Sequence, residues 1–360
     1  MTTIRVLRPA DLTPEHLDAW RLLQASDREL ERPFFAPEYY RILSEFRPDV
    51  FVALIEQHSA IVGFFPFQRT SASVGRPVGL RLNDFQGVIA APDLDLDPLQ
   101  LLRGCGLSSY HFDHLLVHQP VFRKFQVSLT ESPFADLSQG FDAYAEERRA
   151  AGRGWVSQVR RKARKMVRDV GDLRFEFDCR DRRVFEQLLV WKSLQRQRTG
   201  TDDLLRFEWV RGVLDRMFDT QEPALSGRLS ALYAGSRLVA AHFGIICRKS
   251  LHLWFPAYDI EVDRFSPGQI MMVELLRAAA DSGIVRADFG KGQDRYKLSM
   301  ATKSVMVAEG CADTRWIGRF LTSAAYQGRS WLRDSPLREV VQGPKRRWRK
   351  FMNRGVPEGS

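Results

Sequence analysis

The feature that most constrains the fold is a run of strand-like segments in the second half of the chain. Leu229–Tyr233, Leu238–Ile246 and Leu251–Tyr258 are short, rich in apolar residues and bounded by turn residues, as strands are. The connections, AGSR and RKS, are too short for anything except a reversal of direction. The sequence therefore predicts an antiparallel meander.

A helix with clear boundaries follows the meander. Ser-Pro-Gly at 266–268 opens it, the apolar spacing continues to Ser282, and Gly283 follows, so we expect serine at the N-cap and glycine beyond the C-cap. The first amides, on residues 268–270, are expected to lack intrahelical partners, and such amides can hold a pyrophosphate. The alternative is that Ser-Pro-Gly is only an efficient helix start.

Periodicity predicts further elements on both sides of the meander. In the second half they are helix Phe141–Val170, strand Leu173–Phe177, helices Arg182–Thr199 and Arg206–Phe218, strand Val285–Phe289, helix Tyr296–Ala301 and strand Ser304–Ala308. The first half is a looser copy: strand Ile4–Arg8, helices from Pro14 and Pro37, and strands Val50–Glu56, Ala60–Gln68 and Leu82–Ala90. This recurrence indicates duplication of one α/β unit, with limits at 1–138, 139–312 and a tail, 313–360.

The net charge of +10 comes from two segments. Residues 148–168 carry nine Lys or Arg and no acid, and residues 315–360 carry eleven against three acids, so the rest of the chain is net negative. Confined basicity favours one anionic ligand or surface, and no DNA is expected. Aromatic residues in the tail favour peripheral contact of 315–354 with an anionic membrane, although packing of the tail on the second half is an alternative.

Other classes of protein are not supported. The first residues do not resemble a secretory signal and no segment is long and apolar enough to span a membrane, so we expect a cytoplasmic protein, including one bound at the inner membrane face. The four cysteines form neither a CxxC pair nor a cluster with histidine, so no metal is expected.

A polar, glycine-rich loop follows a strand that ends in Asp288-Phe289-Gly290. Strand ends are where α/β proteins gather ligands, so Asp288, Tyr296 and Lys297 are candidate functional residues. The kinase motifs that accompany DFG are missing from the sequence. A solvated turn is the alternative interpretation.

The run WFPAYDIEVDRFSPGQIMMVELLRAAADSGIVRADFGKGQDRYKLSMATK resembles acetyltransferases associated with cellulose and exopolysaccharide synthesis, the CelD/BcsL-like group. These belong to the GNAT superfamily and are related to Fem aminoacyltransferases. The resemblance covers about residues 15 to 310 and includes Val190-Trp191-Lys192, the RKARKM helix and Asn83-Asp84-Phe85. It implies an α/β (α+β) tandem GNAT-like fold, with mixed, mostly antiparallel sheets flanked by helices.

The resemblance also implies where the ligands bind. The strand before Ser-Pro-Gly would pair with the pantetheine arm of acetyl-CoA or another acyl-CoA, and the helix would carry the diphosphate, which makes the cofactor-binding candidates Phe255, Ala257, Ser266, Gly268, Gln269 and Ile270. The candidates for binding the acceptor are Lys192, Arg161 and Asp84. A lysine in a YK pair serves the acyl-donor side in Fem relatives, so Lys297 is implied to be an electrostatic stabiliser.

Attack of an amine on a thioester needs a proton acceptor, donors for the oxyanion and a proton for the thiolate. The strand Leu251–Tyr258 could supply a backbone N–H for the oxyanion. Asp259 and Asp288 are the candidate proton acceptors, Tyr296 the proton donor and Lys297 the stabiliser. An aspartate at a strand end is also a common cap or turn residue, and that alternative stays open.

The expected function is therefore transfer of an acyl group from coenzyme A to an amine, such as an amino sugar, a polysaccharide precursor or another small amine. One alternative is Fem-like transfer of an aminoacyl group from charged tRNA, for which the basic helix would bind phosphates. The other is a catalytically degenerate scaffold in a polysaccharide-synthesis complex.

Overall fold

The computed structural model describes residues 2–152, 154–292 and 295–315. Up to residue 136 the elements are β1 (Thr2–Leu7), α1 (Pro14–Ala25), α2 (Pro37–Phe46), β2 (Val50–Gln57), β3 (Ala60–Ser71), β4 (Val74–Arg76), β5 (Ile89–Ala90), α3 (Pro98–Gly104), β6 (Ser109–Leu116) and β7 (Gln126–Asp136). Short 3₁₀ helices lie at Pro9–Asp11, Arg28–Leu30, Pro33–Phe35, Leu80–Leu82 and Arg123–Phe125.

The elements of the remaining described chain begin with two helices. In order they are α4 (Gly140–Ala150), α5 (Trp155–Asp169), β8 (Leu173–Glu176), α6 (Arg182–Arg198), α7 (Glu208–Asp219), β9 (Gln221–Glu222), β10 (Leu225–Ala234), β11 (Arg237–Cys247), β12 (Ser250–Tyr258), α8 (Pro267–Asp281), β13 (Arg286–Asp288), α9 (Arg295–Met300) and β14 (Lys303–Asp313). Further 3₁₀ helices lie at Leu204–Arg206 and Ile260–Phe265.

The chain divides into two compact units, each discontinuous in sequence. The first comprises the described residues of Met1–Arg28, Leu43–Thr130 and Met306–Ser360, and the second comprises Glu29–Ile42 and Glu131–Val305. The predicted limits at 138 and 312 do not anticipate the segment Glu29–Ile42, which joins the second unit; as limits of domains they stay a prediction. The predicted tail lies outside the described residues from residue 316 onward.

The first unit contains strands in the order β1-β2-β3-β4-β6-β14, with β5 beside β3. Its pairs are antiparallel except for β4 with β6. The prediction of a strand at Leu82–Ala90 is wrong, because Asn83 bends the chain: its side-chain oxygen accepts a hydrogen bond from the Phe85 amide (2.9 Å) and its amide group donates to the Val78 carbonyl (3.2 Å). Only Ile89 and Ala90 of that segment pair with another strand.

The second unit contains strands in the order β7-β13-β12-β11-β10-β8. The predicted meander is confirmed, since β10, β11 and β12 pair in sequence order and antiparallel. The predicted single helix Phe141–Val170 is wrong: α4 ends at Ala150 and α5 begins at Trp155, because Gly152 adopts a left-handed backbone (φ 71°). Helices α4, α5 and α8 share one core with the inward-facing residues of β12, Leu251 and Leu253.

Candidate functional site

The site begins where two parallel strands of the second unit separate. Strand β13 pairs with β12 only at Ser250, Leu251 and His252, whereas β12 continues to Tyr258. Along its other edge β12 stays paired with β11 as far as Tyr258. Beyond His252, the edge of β12 that lies opposite β11 is therefore no longer paired with β13. Main-chain groups on such an edge can pair with an extended ligand. Phe255 and Ala257, predicted to bind the donor, lie on this stretch.

The start of α8 lies at the end of the same chain segment. Pro267 occupies the first helical position as predicted, but Ser266 adopts a left-handed backbone (φ 54°, ψ 56°) and its side chain does not cap the helix. The expectation that all the first amides lack partners is wrong, because the Ser266 carbonyl accepts hydrogen bonds from the amides of Gln269 (2.9 Å) and Ile270 (3.3 Å). Gly268 keeps this turn narrow: a Cβ there would lie 3.3 Å from the ring of Tyr258.

A lysine that the sequence analysis included only as part of the basic segment 148–168 binds this turn. Lys162 of α5 is half-buried, and its Nζ donates to Ser266 Oγ and to Gln269 Oε1, both at 2.9 Å. Arg161, selected instead, is exposed on α5. The missed signal was helical spacing, since Lys162 follows the buried Val159 by three residues and so shares its face.

The position of Lys162 is electrostatically unfavourable unless an anion binds. The N-terminus of a helix carries partial positive charge, and a cation there costs free energy. Further cations lie close to the same turn: the Lys165 Nζ is 5.8 Å and the Arg264 guanidinium 4.7 Å from the ring centroid of Phe265, just before α8. A phosphate group would offset this charge and could accept hydrogen bonds from Lys162.

Lys192 of α6 lies against the separated part of β12. Its side chain is buried, and its Nζ donates to the Pro256 carbonyl oxygen (3.0 Å) and to Gln195 Oε1 (3.1 Å). Burial, together with the charges of Arg196 and Lys297, lowers the pKa of Lys192 to about 8. Lys192 is therefore largely cationic at pH 7 but loses its proton in the mildly alkaline range.

A cavity of about 350 Å³ lies between α6 and the end of β12. Gln195, which bonds Lys192, lines it, as does Tyr258, whose ring touches the start of α8. The full lining is Trp191, Leu194, Gln195, Gln197, Arg198, Tyr258 and Ile260. The cavity thus adjoins both the helix start and the lysine, and its aromatic, amide and guanidinium groups suit a small polar molecule.

Asp288, predicted to accept a proton, instead holds an ion-pair network at the point where β12 and β13 part. Its carboxylate is fully buried and accepts from Arg286 Nε (3.0 and 3.1 Å), while Arg32 Nε lies 3.4 Å away. Arg286 also pairs with Glu29 (3.3 Å) and lies over the Phe134 ring. The carboxylate of Asp288 is therefore held by two guanidinium groups, and its role as a proton acceptor stays a prediction.

The carboxylate of Asp259 is also engaged in hydrogen bonds. Its Oδ2 accepts from Arg237 and its Oδ1 from the Glu261 amide (3.0 Å), so it caps the 3₁₀ helix that leads to α8. This is the cap that the sequence left open as an alternative. In the structure both aspartates are held in ion pairs with arginine, and their roles as proton acceptors stay predictions.

The remaining predicted residues have varied positions. Lys297 Nζ donates to the carbonyls of Gly290 (3.3 Å) and Lys291 (2.9 Å) and so holds the loop after β13, close enough for its charge to affect Lys192. Tyr296 is about half exposed. Asp84 belongs to the first unit, where its Oδ1 lies 3.6 Å from His114 Nε2. The predicted roles of all three stay predictions.

Two negative findings concern the described residues alone. Between residues 2 and 315, leaving out 153, 293 and 294, no group of His, Cys, Asp or Glu side chains is arranged to hold a metal ion. Over the same part of the chain, no helix is both long and apolar enough to cross a bilayer.

Strands β12 and β13 and the start of α8 all lie within residues 153–298, a part of the chain that matches a known family. Residues 153–298 match the family model described as the acetyltransferase (GNAT) domain, and this match supports an acyl-transfer function. A search of curated proteins found no match.

Two solved structures share the fold over most of this chain. The C-terminal domain of a putative lysylphosphatidylglycerol synthetase from Agrobacterium fabrum is 13% identical, with 88% of this chain and 96% of that chain covered and a TM-score of 0.52. FemX is 10% identical, with 80% and 92% covered and a TM-score of 0.51. A tandem GNAT protein from the clavulanic acid pathway is 10% identical, with 87% and 98% covered and a TM-score of 0.48. The predicted α/β tandem GNAT-like fold, with mixed sheets and flanking helices, is confirmed.

Proposed function

We propose that the protein transfers an acyl group from coenzyme A to the amine of a small polar acceptor. The observation that carries this proposal is the separation of β13 from β12 after His252, on the strand that leads into α8. An opening of this kind offers a main-chain edge for a pantetheine arm and, at its end, a helix start for a diphosphate.

The donor would bind in two parts. Its pantetheine arm would pair with the free edge of β12 around Phe255 and Ala257, and its diphosphate would lie at Gly268, where Lys162 supplies charge. Gly268 has no side chain of its own to keep a phosphate group from its backbone amide. The acyl carbonyl would then lie near Pro256, beside Lys192.

The acceptor would enter from the cavity beside α6. Trp191 and Tyr258 offer aromatic faces there, and Gln195 and Arg198 offer hydrogen-bond donors, a combination suited to a hydroxylated amine such as an amino sugar. An acceptor from polysaccharide synthesis, as the family resemblance implies, fits this proposal. In the reaction the amine nitrogen attacks the thioester carbonyl, the C–N bond forms, the C–S bond breaks and the thiol is released.

Hydrogen exchange with acetyl-CoA would test where the donor binds. Amides of β12 beyond His252 and of the first turn of α8 should become protected, while those of the β2–β3 hairpin should not change. A parallel calorimetric titration should show CoA binding more tightly than pantetheine, which lacks the diphosphate. Thiol release from acetyl-CoA over a panel of amines would then identify the acceptor class. Absence of any protection at β12 and α8 at millimolar acetyl-CoA would refute the proposal.

Transfer from aminoacyl-tRNA is the second candidate, favoured by one observation. The exposed face of α5 carries more cations than a single coenzyme A would need: Arg160, Arg161, Arg164, Lys165 and Arg168. If this face binds tRNA, filter binding should show an affinity that falls steeply with salt. Salt-independent or absent tRNA binding would exclude it.

Two proposals concern surroundings rather than chemistry. We propose that the protein is cytoplasmic and that residues 315–354 contact an anionic membrane. Of this segment the structure describes only residue 315. A chain truncated after residue 315 should then fail to sediment with phosphatidylglycerol vesicles that retain the full chain.

A further inference from the structure

Lys192 has the surroundings of a neutral amine. The nitrogen of an uncharged lysine carries two N–H groups and one lone pair, whereas an ammonium carries three N–H groups. Lys192 Nζ meets two acceptors, the Pro256 carbonyl oxygen and Gln195 Oε1. Both N–H groups of the neutral form are thereby satisfied, and the lone pair is left for a proton.

In the described part of the chain, no carboxylate forms an ion pair with the ammonium form of Lys192. Among the residues that the structure describes, the charges that act on Lys192 are those of Arg196 and Lys297, and both are cations. A buried ammonium without an anionic partner is costly, so the surroundings favour the neutral form. This agrees with the lowered pKa that follows from burial.

The other groups near the opened strand do not compete for the role of base. Asp259 and Asp288 are held in ion pairs with arginines. His242 is fully buried, and neither ring nitrogen has a hydrogen-bond partner among the described residues. Burial, with the charges of His252 and Lys192, lowers its pKa to about 3, so it does not hold a proton near neutral pH.

Lys192 also lies where an acceptor amine would arrive. Gln195, which accepts a hydrogen bond from Lys192, lines the cavity next to Tyr258, and Pro256, its other partner, lies on the opened part of β12. The lysine thus connects the proposed acceptor cavity to the strand that would hold the thioester.

We propose that the Lys192 amine is the catalytic base that deprotonates the acceptor's ammonium group. This inference rests on the proposed acyl-CoA function. Lys192 takes one proton from R–NH₃⁺, and the resulting amine forms the C–N bond with the thioester carbonyl carbon. When the C–S bond breaks, the thiolate takes the second proton from the new amide nitrogen. The products are amide and thiol, and Lys192 returns its proton to solvent.

The first test does not depend on activity. In protein labelled with ¹³C at the lysine ε-carbon, one resonance should be missing from both Lys192→Met and Lys192→Arg. In the wild type that resonance should titrate with a midpoint near pH 8, against about 10.4 for an ordinary lysine side chain. A midpoint that coincides with the exposed lysines would overturn the proposal.

The second test separates proton transfer from packing. Lys192→Arg keeps the charge but cannot be neutral, so thiol release from acetyl-CoA with benzylamine, which is protonated at pH 7.5, should fall by roughly 100-fold or more. With phenylhydrazine, which is already neutral, the loss should be at least tenfold smaller. Equal losses with both amines would indicate a structural role and refute the inference.

Failure of this inference can be told from failure of the proposed function. A wild type that neither binds acetyl-CoA nor releases thiol would refute the function. A wild type that does both, with a Lys192 resonance that titrates like an exposed lysine, would refute only the role of Lys192.

Discussion

Replacing Lys162 with alanine tests the diphosphate site directly. In the free protein two effects oppose each other: the variant loses the hydrogen bonds to Ser266 and Gln269, worth about 0.5–1.5 kcal/mol each, and removes a cation from a helix N-terminus, which returns about 0.3–1 kcal/mol. Because these terms partly cancel and Lys162 is only half-buried, the free energy of unfolding should fall by no more than about 2 kcal/mol.

The effect on ligand binding should be larger. A hydrogen bond to a charged group contributes about 1.5–3 kcal/mol, and partial exposure of Lys162 favours the lower end. Since 1.4 kcal/mol corresponds to a factor of ten, the dissociation constant of CoA should rise about tenfold. Isothermal titration at fixed ionic strength would measure this rise.

Arg164→Ala is the matched control for Lys162→Ala. Arg164 is exposed on the same helix, two residues further along and therefore on a different face. Its removal changes the net charge equally, so CoA affinity should change less than about twofold. If both variants weaken CoA binding to the same extent, only the general charge of α5 matters, and the placement of the diphosphate at α8 is wrong.

Three further predictions concern stability. Asp288→Ala leaves two buried guanidinium groups with Glu29 as their remaining anionic partner, so urea denaturation should show a loss of about 3–5 kcal/mol, and a loss below 1 kcal/mol would contradict the network's role. Gly227→Ala should cost at least about 1–3 kcal/mol in the same assay, because its Cβ would lie far inside contact distance of the Met217 carbonyl; an unchanged midpoint would contradict this packing. Burial raises the pKa of Asp136, but hydrogen bonds, the first from Lys303, outweigh it and lower the pKa to about 2. The stability that this carboxylate contributes above its unfolded pKa, near 3.8, should therefore be lost as the pH falls towards 2, and Asp136→Asn should flatten acid-denaturation curves in that range.

Much of the candidate site could be predicted from local patterns. The meander, the helix after Ser-Pro-Gly and the polar loop after Asp288 each follow from spacing and turn residues within a short window. The break between α4 and α5 could also have been predicted from the sequence, since Gly152 and Gly154 lie in the middle of the predicted helix. The predicted helix Phe141–Val170 continues through both glycines because the whole segment is rich in charged residues, and it is therefore too long.

The roles of charged residues were harder to predict. Helical spacing places Lys162 on the same face of α5 as the buried Val159, and this spacing distinguishes it from the exposed Arg161. Asp288, in contrast, looks like a strand-end acid available for chemistry. Its pairing with Arg32 depends on a segment from near the start of the chain that joins the second unit. The residues around Asp288 in the sequence do not indicate this pairing.

The sequence by itself determined the meander of β10, β11 and β12, the helices α6, α7 and α8 and the position of the turn before α8, because these depend on residues a few positions apart. Only the tertiary structure decided that β13 leaves β12 after His252 and that Lys192 meets Pro256 across 64 positions of sequence. Periodicity tells which face of an element is buried but not which distant element covers it. The chemistry of an amine, a carboxylate or a helix end depends on the residues that pack against it, and these residues come together only in the tertiary structure.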